Sequence, residues 1–146
     1  MLKNSDYPIA DAARVFANAG MAVAFLVPTE TGLRKGILDA HGALRQFLKA
    51  ASLHDYDQQE QGVPGKVELS ARLIGQHESQ MRRVSLYRPE TKNGDPRIWI
   101  GRLPNYANAN NLLALVRDPA DSNGLVIINV SDVSIWDTRA DPNSPL

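Results

Sequence analysis

The densest chemistry in the chain lies in one run, Arg88-Pro89-Glu90-Thr91-Lys92-Asn93-Gly94-Asp95-Pro96-Arg97. It sets two guanidinium forks, an ammonium, two carboxylates, an amide and a hydroxyl between prolines that stiffen it. Arg and Lys donate to O6 and N7 of guanine, a carboxylate accepts from the amino group of cytosine, and Asn pairs with adenine through two bonds. Phosphate attraction alone needs the cations and has no use for the anions, so the carboxylates point toward base discrimination. A second stretch, Thr29-Glu30-Thr31-Gly32-Leu33-Arg34-Lys35-Gly36, repeats the mixture, and its glycines allow close backbone approach. Taken singly, each stretch also suits a solvated polar turn with ordinary surface ion pairs. Together they suggest a clamp of two arms.

Other chemistries find less support. Cysteine is absent, which excludes disulfides and thiolate metal sites. His41, His54 and His77 are too widely spaced for two imidazoles to share one helical face, so no bound metal is expected. No Gly-x-Ser-x-Gly elbow is present. Glu90 and Lys92, with Asp55 or Asp57 upstream, have the composition of a metal-dependent nuclease centre. Such a pair works from a packed central strand, whereas Pro89 and the Asn93-Gly94 turn put this one on a loop. That nuclease remains one alternative, and a protein-interaction or small-ligand module is another. No catalytic residue, metal site or cofactor is expected in this chain.

Charge is unevenly spread although it sums to zero. Between Gln80 and Leu103, Arg82, Arg83, Arg88, Lys92, Arg97 and Arg102 outnumber Glu90 and Asp95. Between Pro28 and Lys49, Arg34, Lys35, Arg45 and Lys49 outnumber Glu30 and Asp39. From Arg117 to Asp141 the balance is acidic. A one-sided field of this kind orients a protein on DNA without net positive charge. No apolar run is long enough for a membrane span, and the first residues lack the profile of a signal peptide. A cytoplasmic location is expected, and the lack of cysteine fits it.

The elements that must carry these groups follow from periodicity. A helix is expected from Ser5 or Asp6 to Ala19, with Pro8 in its first turn and Gly20 ending it. Met21 to Val27 reads as a short buried strand, and Ala43 to Ser52 as a second helix with Leu44, Phe47, Leu48 and Ala51 on its apolar face. Val67, Leu69, Ala71 and Leu73 alternate with polar residues, as in a strand with one buried face, and Met81 to Tyr87 is also strand-like. Arg97 to Gly101 follows the Pro-bracketed turn as a further strand, in which Ile98, Trp99 and Ile100 are expected to hold the base of the arm, Trp99 in the core. Leu112 to Val116 and Leu125 to Val130 are apolar strands joined by a turn. Strands do not alternate strictly with helices, so a doubly wound parallel sheet is not expected. The expected fold is mixed and mainly β: a partly open barrel of six or seven strands with two helices at its ends. Residues 1–136 are expected to form one domain, and 137–146 read as a tail or the start of a linker.

The run Tyr87-Arg88 with Thr91-Lys92-Asn93-Gly94-Asp95-Pro96-Arg97 resembles an arm of the N-terminal effector domain of EcoRII-type restriction endonucleases. Val27 to Gly36, with the helix after it, looks like the other arm, and the run as far as Trp99 is also similar to N-terminal extensions of nucleases of the MvaI/BcnI family. The likeness covers about Ala22 to Val130. It implies the DNA-binding pseudobarrel fold, in which two arms grip the major groove, and a prokaryotic, monomeric type IIE enzyme as the setting. It also implies a short site like CC(A/T)GG, and a nuclease domain in the same polypeptide that alone would need Mg²⁺. On this expectation Arg88, Lys92, Asn93, Asp95 and Arg97 read bases on one half of the site. Thr29, Glu30, Thr31, Arg34 and Lys35 read the other half or hold the backbone, and Arg82, Arg83 and Arg102 contact phosphates.

Overall fold

The computed structural model describes residues 13–75 and 79–132, and of Lys92 the backbone only. His77, the first part of the expected leading helix with its candidate caps, and the 137–146 segment lie outside the described residues. Seven strands form one curled, open half-barrel sheet. In chain order the elements are helix α1 (13–18), strand β1 (Ala24–Leu26), helix α2 (Glu30–Lys35), strand β2 (Ile37–Asp39) and helix α3 (Gly42–Ala50). Strands β3 (Val67–Ile74), β4 (Ser79–Tyr87), β5 (Arg97–Ile100), β6 (Leu113–Arg117) and β7 (Gly124–Asn129) follow. Across the sheet the strands run β1-β6-β7-β3-β4-β5-β2. All neighbours are antiparallel except β3 and β7, which pair in parallel.

The alternation in β3 and the apolar runs in β6 and β7 arise from different surroundings. In β3, Ala71 and Leu73 point into the half-barrel while Glu68 and Ser70 face water. In β6, both faces are buried. Leu113 and Leu115 join the main core with Leu125, Ile127, Leu86, Ile98 and Ile100, and Leu44, Phe47 and Leu48 of α3 close it. On the other face Leu112, Ala114, Val116 and Val126 pack with Phe16 of α1. A strand sandwiched in this way gains nothing from polar residues at alternate positions, so it reads as an unbroken apolar run.

Three features depart from the sequence expectation. Residues 30–35, expected as a loop arm, form a helix. Thr29 Oγ1 accepts from the Gly32 N–H at 3.0 Å, Glu30 stands in the first turn and Arg34 and Lys35 in the last, and Gly36 ends the helix with φ of 72°. Each of these suits the polarity of a helix end. Second, Ile37–Asp39 is the seventh strand, and it pairs with β5. Third, Trp99 is only partly buried and lies on the face opposite Ile98 and Ile100. It does not enter the core; its indole instead lies against the backbone of Gly36 and Gly101, with Nε1 3.4 Å from the position a Cβ on Gly36 would take.

The sheet's two edges, β1 and β2, are bridged at α3. Helix α3 lies against β1. Its N-cap, His41, accepts the Leu44 N–H at Nδ1 (3.3 Å), and its Nε2 is 2.9 Å from the Phe25 carbonyl oxygen of β1. An acceptor at Nδ1 requires the proton on Nε2, so the ring donates to β1 while capping the helix.

Candidate nucleic-acid interface

Register places the chemistry. In the β4-β5-β2 ladder Tyr87 pairs with Arg97, and Arg97 with Asp39. Directly opposed residues share a face, so these three form a row on the outer surface of the half-barrel. Arg97 Nη1 is 2.7 Å from Asp39 Oδ1; the Arg97 side chain is 21% exposed and that of Asp39 79%. The Arg97 carbonyl accepts from the Tyr56 hydroxyl at 2.9 Å. Burial pushes the Tyr56 phenol far up, nearby Tyr87 adds to the shift and Arg45 opposes it, so the hydroxyl stays a donor. The Tyr87 phenol is raised by burial as well, against the pull of Arg97.

Two depressions flank this row. One, of about 360 Å³, is lined by Thr29 and Thr31 from the start of α2, by Asp39 and His41, by Arg97, and by apolar residues of β1 and β2. The other, about 290 Å³, runs along α3 and is lined by Gly42, Arg45, Gln46, Lys49, Asp55, Tyr56 and Asp57. Lys49 is partly neutralised there, 3.7 Å from Asp55 and 4.0 Å from Asp57.

The 88–96 arm leaves β4 and returns to β5 at Arg97, with a tight turn at Lys92–Gly94 in which Asn93 and Gly94 are left-handed. Asn93 (φ 60°) and Asp95 are exposed on it. The arm rests on the 59–65 segment: the Gly62 N–H donates to the Arg88 carbonyl at 2.7 Å, and Glu90 packs over Gly62. Arg88, expected to read a base, is engaged inside the arm. Its Nε donates to the Gly94 carbonyl at 2.9 Å and its Nη1 to the Gln59 carbonyl at 3.2 Å. These two bonds engage Nε and Nη1 of the guanidinium and tie Arg88 to the turn at Gly94 and to the 59–65 segment.

The structure thus brings Thr29, Thr31 and Arg97 into one depression, with Asn93 and Asp95 on the arm that ends at Arg97. Glu30, Arg34 and Lys35 are exposed on α2 and do not line that depression. Helix α2 leads into β2 at Ile37, which pairs with Trp99, whereas the arm leads into β5 at Arg97, which pairs with Asp39. The two expected arms therefore stand at opposite ends of a short ladder. Arg83 is exposed on β4, 3.4 Å from Glu68, and Arg82 is held by Gln80 and by the Met81 carbonyl. Arg102 is exposed just after β5 with φ of 54°. Glu90 sits on the arm and not on a strand, and among the described residues no group of three or more His, Asp or Glu is placed to hold a metal ion. No helix among them is long and apolar enough to cross a membrane.

Sequence reasoning missed Asp39, His41, Arg45, Tyr56, Gln59 and Tyr87. Tyr87 was within reach, since it directly precedes the arm. The others come to the site only through the β2–β5 register and the packing of α3, which no local pattern encodes. Comparison with known proteins adds no relative: no protein-family model, no curated protein and no solved structure matches this chain.

Proposed function

We propose that the chain is a sequence-reading double-stranded DNA-binding domain, an effector module of the EcoRII type, serving a nuclease domain in the same polypeptide. The observation that carries this reading is the Asp39–Arg97 pair, set in a depression shared with Thr29, Thr31 and His41 at the foot of a braced arm. A donor fork and a carboxylate held side by side, with hydroxyls around them, match the alternating donors and acceptors of base edges in the major groove. Asn93 and Asp95 extend that set along the arm, and Lys92 belongs to the same turn. Arg34 and Lys35 in the last turn of α2, with Arg45, Arg83 and Arg102, are exposed cations suited to phosphates on either side. Glu30 in the first turn of α2 would stand at the edge of the same contact. The partner is a short duplex site of the CC(A/T)GG kind, bound by a monomer in the cytoplasm of a prokaryotic cell. Mg²⁺ is needed only by the nuclease half, and binding licenses or tethers its cleavage.

The test is duplex selection from a random pool in metal-free buffer, followed by a salt titration of the selected site. One enriched sequence should emerge. With six phosphate contacts its affinity should fall about a thousandfold between about 50 and 200 mM salt. No retained duplex at the lower salt overturns the reading, and metal-dependent cleavage by this chain alone replaces it with a nuclease.

A further inference from the structure

We infer that Arg88 and Gln59 are positioning residues that build the 88–96 arm before any ligand arrives, which deepens the DNA-binding reading and rests on it. The argument begins with Gln59, which is 8% exposed although polar. Its Nε2 donates to the carbonyls of Leu86 (2.7 Å) and Gly65 (2.8 Å), and its Oε1 lies 3.0 Å from His54 Nε2. One side chain thereby ties the last part of β4 to the 59–65 segment. The Gln59 backbone carbonyl then accepts from Arg88 Nη1, so the same residue anchors the start of the arm.

Arg88 completes the brace. Its Nε reaches forward to Gly94 while Nη1 reaches back to Gln59, so one rigid plane spans the arm from base to turn. The Gly94 N–H meanwhile donates to the Thr91 carbonyl at 3.0 Å. Gly94 is buried with φ of 71°, and the Gln61 side chain occupies the space where a Cβ would stand. The exposed groups of the arm, Asn93 and Asp95, flank this fastened glycine. Lysine at position 88 keeps the charge but loses the planar fork that serves two carbonyls at once. A preformed arm meets the duplex without first losing conformational freedom, which raises affinity and discrimination together.

Amide hydrogen exchange on the free protein and duplex binding by the same samples test the assignment. Arg88→Lys, Arg88→Ala and the milder Gln61→Ala are compared with the parent. Both Arg88 variants should speed exchange at Gly62 and Gly94 by roughly tenfold, while the β3 and β7 ladder amides keep their protection. Affinity for the selected site should fall roughly tenfold in both, Lys failing to rescue, with the slope of affinity against salt unchanged. Gln61→Ala should do the same to a smaller degree. Unchanged exchange at Gly62 and Gly94 overturns the inference. So does a salt slope reduced by about one in Arg88→Ala but restored in Arg88→Lys, since that marks a phosphate contact. If the parent binds no duplex, the DNA reading fails while exchange alone still decides whether these residues hold the arm.

Discussion

The Arg97 side chain is held by its ion pair with Asp39, on a backbone fixed by strand pairing with Tyr87 and by the Tyr56 hydroxyl on its carbonyl. A side chain held so firmly discriminates well, and Arg97→Ala should cost about 1–3 kcal/mol on the preferred duplex while relaxing specificity at one position. Equal losses on every duplex in a competition assay would make it a phosphate contact instead. Asp39→Asn should act differently: it removes the acceptor that reads the site and frees a cation, so discrimination falls while affinity for non-preferred duplexes rises by up to about fivefold. His54 provides a pH test. Burial lowers its pKa, against the Gln59 hydrogen bond and the Asp55 charge, and its ring meets Tyr56 edge-on at 4.4 Å. The unfolded chain therefore binds the proton more readily, and His54's contribution to stability, full above an unfolded pKa of about 6.5, is lost as pH falls below it. Urea melts between pH 7 and 5 should show stability falling with pH, and His54→Gln should flatten that trend. Arg97 was legible in the sequence because it closes a run of unusual composition. Asp39 was not, because its role exists only through pairing with a distant strand.

At the scale of elements, α2 shows how a short helix escapes notice. Six residues give no usable period, and Gly32 and Gly36 look like breakers. Yet the termini were written out, with Thr, then an acid, then two bases, then Gly. A Cβ at Gly32 would lie 2.9 Å from the Ile37 carbonyl oxygen and 2.7 Å from Leu38 Cδ2, so the close approach of α2 to β2 suits glycine there. Gly36→Ala should destabilise by about 1 kcal/mol for the left-handed backbone alone, with added crowding against the Ile100 carbonyl, as measured by chemical denaturation. The long strands were readable, β3 from alternation and β6 and β7 from apolar runs. Strand β2 was not, since three residues between two helices carry neither signal.

The whole molecule is a half-barrel with two apolar zones that serve different ends. The inner zone supports the row of Tyr87, Arg97 and Asp39, and the outer one holds α1 through Phe16, edge-on to Phe25 with ring centres 6.4 Å apart. Phe16→Ala should therefore cost about 3 kcal/mol in stability and leave duplex affinity unchanged at temperatures where the fold persists. A parallel loss of affinity would mean that the two zones are mechanically coupled. Overall class was legible because strand count and the lack of βα alternation follow from local patterns. Strand order was not, because β7 is placed by partners that only the assembled sheet supplies.

That order governs how the protein is made. Among the described residues β7 is the last strand in chain order, yet it lies between β6 and β3, well inside the sheet. On the ribosome, everything before Gly124 emerges with β3 and β6 each lacking a neighbour, so the sheet cannot be assembled in the order of synthesis. Maturation waits for one late segment to slide between two earlier ones, and a chain cut short before it would offer bare strand edges to its own kind.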